Sequence, residues 1–346
     1  MNLQRIGVIV RLELIQRLRS VSWYVLLGVF AVILLGVTAL SYFVFSWQQN
    51  AGAGVYSVVV NIVLLLVVLI SPTLSGNAIN GDRENATLAA VQLTLASTAE
   101  IVFAKLFAAV LTGLAFLAVA VPFLLFSMVV GGVSPLTIVV SLLVLLAEIV
   151  IVAAIGVGFS GILARPLFSV AATYLTVAAL VFGTVIVFVL GGTAVRSEAV
   201  SYSRPYVEQD NGEWGADCTR WETSTYDVPR FDYVWWALSA NPFVVLADAT
   251  PVTYDSHGNA TDLFGHLKFG VRSAQLSPQL EQRWDDCRPY ENEDERKTMQ
   301  ETIEGSVPSW FVGLGVQALI AGGLMAGALA RTSTPARRLP PGTRIA

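Results

Sequence analysis

The sequence predicts an all-α membrane protein with six transmembrane helices, an N-terminal interfacial helix and a soluble extracellular domain inserted between helices five and six. Three observations carry this prediction: little charge, an uneven charge distribution and long uncharged runs. Only 13% of the 346 residues are charged, 55% are hydrophobic and the mean hydropathy is +0.65. Soluble proteins carry about a quarter charged residues, so the composition excludes a disordered chain and argues against a soluble enzyme.

The charge is concentrated in a polar block at about 195–308. This block holds 20 of the 25 acidic and 10 of the 21 basic residues, so its net charge is −10 and the rest of the chain carries +6. Residues 20–81 and 305–330 contain no charged side chain, and Glu148 and Arg165 stand alone in the other long apolar stretch. A core helix of a soluble protein has a polar face, so these runs indicate helices in hydrocarbon.

Gly, Pro and polar residues divide the apolar runs into six stretches of about 20 residues or more, the length that crosses a bilayer. Spans four and five are separated only by Arg165 and Pro166, which suit a tight turn. The predicted spans are Val21–Trp47, Val55–Ala78, Val102–Val130, Leu136–Ala164, Leu167–Ala194 and Trp310–Ala330.

Residues 1–20 predict a helix that lies in the membrane interface. Its polar side contains Arg5, Gln16 and Arg19. The apolar side chains on the opposite side of the helical wheel are Leu3, Ile6, Val10, Leu14 and Leu18. An ordinary basic juxtamembrane tail is the alternative.

Basic residues outside the polar block predict the orientation, because Lys and Arg near span ends stay cytoplasmic. All 11 fall on one face of a six-span layout, and the short opposite loops around 48–53 and 131–134 contain none. They are Arg5, Arg11, Arg17, Arg19, Arg83, Lys105, Arg165, Arg331, Arg337, Arg338 and Arg344. We therefore expect a multi-pass plasma-membrane protein with both termini in the cytoplasm and the acidic block outside.

These patterns divide the chain into five predicted parts. The two membrane parts are separated by the polar block, and the first contains a cytoplasmic segment at 82–100. The parts are the interfacial helix at 1–20, spans one to five at 21–194, the extracellular domain at 195–308, span six at 309–331 and a cytoplasmic tail at 332–346.

The two cysteines, Cys218 and Cys287, both lie in the polar block. An even number on the oxidising side predicts one disulfide, which contributes about 4 kcal/mol in the chain-entropy account of a long loop. Two buried thiols are the alternative. The histidines, His257 and His266, lack zinc-site spacing, so no metal site is predicted.

Catalytic motifs are absent from the sequence. A P-loop requires Gly-Lys-Ser/Thr to hold phosphates, whereas the three lysines follow Ala104, Leu267 and Arg296. This route to ATP hydrolysis is closed to the chain. We predict no catalytic residue, no bound cofactor and no enzymatic activity of the chain itself.

Glu148 is the one acidic residue inside a predicted span, near its middle. An intramembrane carboxyl is costly and usually faces a protein interior or a cavity. Two roles stay open: a substrate-path or gating residue, or a protonated hydrogen-bond partner of Ser, Thr or Tyr174 on another span. Asn61 in span two and Gln317 in span six are further substrate-path candidates with the same structural alternative.

The connection between spans two and three is longer and more apolar than a simple reversal requires. Three charged residues at 82–84 are followed by a short predicted helix with Leu88, Val91 and Leu93. A plain surface loop needs fewer residues and fewer exposed apolar side chains. A small helix placed there can dock into a cleft on a cytoplasmic partner.

This connection, the six-span layout and the basic N-terminal helix resemble the permease subunits of ABC-2 type transporters. In that family, span two is followed by an acidic-Arg-Glu cluster, a Thr-Leu pair and a Ser-x-x-Glu-Ile segment that leads to a Lys at the head of span three. The matching positions are Asp82, Arg83, Glu84, Thr87, Leu88, Ser97, Glu100, Ile101 and Lys105. The chain departs from the pattern at Leu95, where Pro is usual, and at Thr98 and Ala99.

The resemblance implies the permease subunit of an ATP-driven exporter that moves a hydrophobic or amphipathic drug, lipid, glycan or peptide outward. It implies two cytoplasmic ATPase subunits that bind ATP and Mg²⁺, a second permease copy or a homologue as dimer partner, contact with membrane lipid, and no nucleic acid. The residues implied to couple to the ATPase are Asp82, Arg83, Glu84, Thr87, Leu88, Val91 and, in a second contact, Arg165.

A membrane receptor or anchoring subunit is the competing hypothesis. In this case the extracellular domain binds a ligand or partner, which accounts for the long insertion. A receptor, however, needs only one span and no docking segment between spans two and three.

The insertion also contains an apolar segment at Tyr233–Asp248. Because Trp and Tyr favour membrane interfaces, its aromatic start predicts a segment that rests at the outer interface. Its Asn241-Pro242-Phe243 sequence also resembles many ABC-2 permeases. The flanking parts predict a small domain stapled by the disulfide, with helix or strand content left open.

Overall fold

The computed structural model describes most of the chain, and its membrane part is helical as predicted. Among the residues that it describes, six helices are long and apolar enough to cross a membrane, which indicates a multi-pass membrane protein. The described residues are 2–47, 50–84, 96–208, 214–287 and 297–332. Spans one to six, as the structure has them, are Val21–Phe45, Ala51–Glu84, Thr98–Val130, Pro135–Ile162, Pro166–Ala194 and Trp310–Thr332.

Local sequence explains where several of these helices begin and end. Span three begins with a capping box in which Ser97 Oγ accepts from the Glu100 N–H and the Glu100 carboxylate accepts from the Ser97 N–H. Span four begins with Ser134 as N-cap and Pro135 in the first turn. Gly131 and Gly132 reverse the chain between these spans with φ of 100° and 85°, which glycine adopts without strain.

Spans two and four form the centre of the bundle. Within their most apolar stretches, 72% and 56% of the residues are buried, against 22–28% in the other four spans. Gly156 of span four lies against Ser75, and Gly161 lies against Ala328 of span six. A Cβ at either glycine would overlap these neighbours, so the small residues permit close packing of span four on spans two and six.

The helices are numbered along the chain, and three details add to the six spans. Helix α1, Leu3–Leu18, packs along the first turns of span three. Span one is α2, and in span two α3, Ala51–Ser75, is followed by a turn and by α4, Asn80–Glu84. Spans three and four are α5 and α6. Span five consists of α7, Pro166–Ala178, a π-helical turn at Ala179–Gly183 and α8, Thr184–Ala194.

The insertion between spans five and six contains strands, which the all-α prediction did not include. Strand β1, Arg196–Ser203, pairs with antiparallel β4, Glu222–Pro229, and with parallel β5, Glu281–Trp284. Strands β2, Tyr206–Glu208, and β3, Trp214–Ala216, form a second sheet. The predicted disulfide is confirmed: Cys218 and Cys287 are bonded, with 5.9 Å between their Cα atoms.

The described part of the insertion also contains four α-helices. Helix α9 covers Trp236–Ser239, α10 Pro242–Ala249, α11 Leu263–Ser273 and α12 Met299–Glu304. Val245, Leu246 and Ala247 of α10 are buried in the main core of the spans. The segment at Tyr233–Asp248, which the sequence predicted to rest at the interface, instead packs with α10 among the spans, and we call α9 and α10 the inserted hairpin. A helix that is apolar on nearly every side is expected to be buried in this way.

Candidate functional sites

The connections between spans define two ends of the bundle. Arg83, after span two, donates to the Gly161 carbonyl at 3.2 Å and to Thr332 Oγ1 at 3.4 Å, so the ends of spans two, four and six meet. We call this end the terminal side. At the other end, the Leu263 N–H donates to Ser57 Oγ at 3.0 Å, which places α11 on the start of span two. We call this end the insertion side.

A buried ion cluster ties three chain segments together on the terminal side. Lys105 of span three contacts the carboxylates of Glu13 in α1 and Asp82 after span two, the latter at 2.6 Å. The Lys105 side chain is 4% exposed, and the two carboxylates compensate its charge in this buried position. We call Glu13, Asp82 and Lys105 the terminal cluster.

A second contact on this side holds the start of α1. The Asn2 N–H donates to Glu100 Oε1 at 2.6 Å, and Arg5 lies 3.9 Å from the other oxygen. Arg17, at the other end of α1, donates to Thr112 Oγ1 at 2.9 Å and to the Leu74 carbonyl at 3.0 Å. Helix α1 is thus bonded at both ends and is more than a basic tail.

The turn after span two is fixed against spans four and five. Ser160 Oγ accepts from the N–H groups of Ile79 and Asn80 at 2.9 and 3.1 Å. The Asn80 amide also donates to Ser169 Oγ at 3.1 Å. A displacement of this turn would therefore act on spans four and five through these hydrogen bonds.

The predicted coupling residues occupy different surroundings. Asp82 and Arg83 are half-buried in the contacts above, whereas Glu84 is exposed. Arg165 is exposed at the N-cap of span five. Thr87, Leu88 and Val91 lie outside the described residues.

Glu148 lies fully buried in the middle of span four. Among the described residues, neither carboxyl oxygen has a donor in hydrogen-bonding geometry, although the Gln317 side chain is close enough to interact with it. Gln317 of span six lies beside it, with its Nε2 donating to the Ala240 carbonyl at 3.0 Å. Tyr174, the aromatic partner considered from sequence, instead donates to the Leu69 carbonyl at 2.9 Å.

Asn61 has a local hydrogen bond. Its amide donates to the Ser57 carbonyl one turn earlier in span two at 2.8 Å. Its Oδ1 is buried and has no partner among the described residues. This geometry fits the structural alternative, with one acceptor atom left over.

The tip of the inserted hairpin reaches the π-helical turn of span five. Asn241 Nδ2 donates to the Val181 carbonyl at 2.8 Å and to Thr184 Oγ1 at 3.1 Å. A π-helical turn releases a carbonyl from its regular partner, and Asn241 supplies the missing donor. Val181 lies 13 residues before the end of span five at Ala194, or about 20 Å along the helix.

The same asparagine starts helix α10. Asn241 Oδ1 accepts from the Phe243 N–H at 3.0 Å, and Pro242 occupies the first turn. Asn241 is bonded to a carbonyl 60 residues earlier in the chain, and nothing in the sequence indicated this partner. We call Glu148, Gln317, Ala240 and Asn241 the intramembrane polar centre.

A buried ion pair joins helices α10 and α11 of the insertion. Arg272 Nε lies 2.6 Å from Asp248 Oδ1, and both side chains are almost inaccessible to solvent. Asp248 Oδ2 accepts from the N–H groups of Ser309 at 2.7 Å and Trp310 at 3.0 Å, and so caps span six. This pair fixes α10 and α11 to the start of span six.

Two further buried ionisable groups lie on α11. Burial lowers the pKa of the Lys268 ammonium to about 8, and its Nζ donates to the Thr250 carbonyl at 2.8 Å. Burial raises the pKa of the Asp262 carboxyl to about 6, and the Gly265 N–H bond opposes this rise. These groups make the insertion's stability depend on pH.

Comparisons with known proteins add no family assignment. No protein-family model and no curated protein matches the chain. Within the described ranges, no group of three or more His, Cys, Asp or Glu side chains is arranged to hold a metal ion.

Proposed function

We propose that this chain is the membrane-spanning permease subunit of an ATP-driven exporter, resembling the ABC-2 type, and that separate cytoplasmic ATPase subunits drive it. The observation that supports this most is the terminal cluster. Lys105 joins α1, the segment after span two and span three in one buried contact. A force on the exposed parts of α1 or on Glu84 is thereby passed directly to a span.

In this proposal the terminal side faces the cytoplasm of a plasma-membrane protein. Two ATPases, each with ATP and Mg²⁺, press on α1 and on the segment at 82–100, and Arg165 forms a second contact. Arg83 and Asn80 pass the same displacement to the ends of spans four, five and six through their bonds to Gly161, Ser169 and Thr332. A second permease copy or a homologue completes the transporter.

The hairpin then acts as the outer closure of the substrate path. Its tip is held by two bonds, Ala240 to Gln317 and Asn241 to Val181, on two different spans. Relative movement of spans five and six breaks both bonds together. Glu148, which these bonds cover, becomes accessible to a hydrophobic or amphipathic substrate when the tip withdraws.

Affinity purification from native membranes, followed by an ATPase assay in liposomes, tests this proposal. The wild-type chain should co-purify with a P-loop protein, and the purified complex should hydrolyse ATP. Glu84→Lys should lose most of that activity because it reverses charge at the exposed docking surface. Thr223→Lys, an equally exposed change on β4, is the control and should behave as wild type.

Two results would contradict the proposal. Purification of a partner-free oligomer without ATPase activity would remove the transporter and favour a receptor or anchoring subunit. Equal activity of Glu84→Lys and wild type would separate the ATPase from the segment proposed to receive it.

A further inference from the structure

An open cleft, whose lining side chains are mainly apolar, lies on the insertion side, between span five and the insertion. Its volume is about 300 Å³. Phe188 of span five and Phe231 form its floor, with ring centroids 5.0 Å apart. Gly270 and Ser273 of α11 form one wall, and the remaining lining residues are Pro229, Ala274, Leu276 and Pro278.

The position of the floor places the cleft at the edge of a bilayer. Phe188 is six residues before the end of span five, or about 9 Å along the helix. Its neighbours in span five, Ile186, Val189 and Leu190, are exposed along the outer half of the helix. Tyr233 and Trp236, also exposed, mark the aromatic level typical of a membrane interface.

The charges near the cleft are already compensated. Arg230, between the lining residues Pro229 and Phe231, binds Asp232 with distances of 2.8 and 2.6 Å, and Ser277 Oγ donates to Asp232 at 3.1 Å. These bonds hold the pKa of Asp232 below its ordinary range and raise that of Arg230. A charged ligand group would find no uncompensated partner in this pair, so an apolar ligand fits better.

We infer that this cleft binds one acyl chain of a phospholipid from the adjoining leaflet. Its floor includes Phe188 of span five, whose neighbours Ile186, Val189 and Leu190 are exposed, so hydrocarbon enters from the lipid-facing side of this span without crossing water. Filling the cleft with water would leave the two phenyl rings hydrated, whereas an acyl chain buries them. The ion pair at the rim then lies at the level of the zwitterionic headgroup.

The test uses a phosphatidylcholine with a diazirine near the end of one acyl chain, incorporated in nanodiscs with the full chain. After illumination, peptides that contain Phe188, Phe231 or residues 270–278 should carry the label. A Cβ at Gly270 meets no atom within 4 Å, so Gly270→Leu fills the cleft without a clash and with better helix propensity. Ser273→Leu is a second filling variant.

Gly270→Leu should lower labelling of these peptides by about tenfold, since each buried methylene that it displaces is worth about fourfold in binding. Gly315→Leu is the matched control, because Gly315 also faces open space, at an exposed position of span six. It should label as wild type. Labelling that is absent, or that both filling variants leave unchanged, would overturn the inference.

A second arm in detergent uses a free fatty acid with the same photoreactive chain. Phospholipid labelling that excess unlabelled phosphatidylcholine suppresses supports a bilayer lipid as the occupant. Cleft labelling by the fatty acid alone, with none by the phospholipid, would overturn the assignment to a bilayer lipid and point to a single-chain amphiphile.

Discussion

The terminal cluster and the intramembrane polar centre treat buried charge in opposite ways. In the terminal cluster, Lys105 is held by Glu13 and Asp82. In the polar centre, Glu148 is fully buried and its carboxyl oxygens meet no donor among the described residues. The first arrangement depends on Lys105, because its loss would leave Glu13 and Asp82 together without a cation.

The difference indicates two kinds of work. A paired cluster that joins three segments transmits displacement between them. If the hairpin tip withdraws, the carboxyl oxygens of Glu148 can form hydrogen bonds with a substrate. Ionisable groups inside the membrane often mark substrate paths. Five substitutions test these two regions and the insertion beside them, in order of the expected change in unfolding free energy, from the largest to the smallest.

Asp248→Ala should have the largest effect, because Arg272 would stay buried without its carboxylate and span six would lose its cap. We expect a loss of about 4 kcal/mol or more in unfolding free energy, measured by tryptophan fluorescence during titration with SDS. Asp227→Ala, at an exposed position of β4, is the control and should cost under about 1 kcal/mol. A small effect of Asp248→Ala would show that the hairpin arm is held by packing alone.

Lys105→Met should come next. Glu13 and Asp82 would then share a partly buried site without a cation, at a cost of about 3 kcal/mol. The same titration measures this loss of stability. Arg11→Met is the control, because Arg11 is an exposed base on helix α1, which also contains Glu13. Equal stability of the two variants would mean that the terminal cluster does not hold α1 on span three.

Asn241→Ala should cost about 2–3 kcal/mol, because the Val181 carbonyl loses its donor and α10 loses its cap. Hydrogen exchange should rise in α10 and at the π-helical turn, and stay unchanged in α1. Uniform exchange across both regions would contradict local seating of the hairpin tip.

Asp262→Asn tests the pH dependence of the insertion. The pKa of Asp262 in the folded protein, about 6, exceeds its ordinary value of 3.8, so its contribution to stability is full below about pH 4 and is lost as pH rises through 6. The variant keeps the N-cap and should be more stable than wild type at pH 7 by about 2 kcal/mol, with no difference at pH 4.

Asp255→Asn is the opposite control. Bonds from the Asn259 and His257 N–H groups lower the pKa of Asp255, so its contribution is lost as pH falls. Unfolding titrations at pH 4, 5, 6 and 7 should move in opposite directions for the two variants. Parallel curves would contradict the assigned burial of Asp262.

Glu148→Gln should have the smallest effect on stability, under about 0.5 kcal/mol. A buried carboxyl without partners is tolerated in hydrocarbon when neutral, and Gln is neutral with nearly the same shape. Transport or ATPase stimulation, by contrast, should change. A loss of stability above about 2 kcal/mol, with activity unchanged, would assign Glu148 to structure.

The sequence predicted the six spans and the disulfide because both depend on composition. Uncharged runs determine the spans, and two cysteines in one polar block leave one pairing. The hairpin was missed because α10 is too short to cross a bilayer and its burial depends on neighbours far along the chain. Lys105 was identified by resemblance, but its partner Glu13 carried no local signal.

Site-specific photo-crosslinking in native membranes tests whether a separate ATPase contacts the terminal side of the bundle. A benzophenone amino acid replaces Glu84 or Arg165, which are exposed on the terminal side, or Thr223, which is exposed on β4. We expect crosslinks from positions 84 and 165 to one P-loop ATPase, and none from position 223. Absence of an ATPase crosslink at both terminal positions, with the chain expressed at wild-type level, would contradict this expectation.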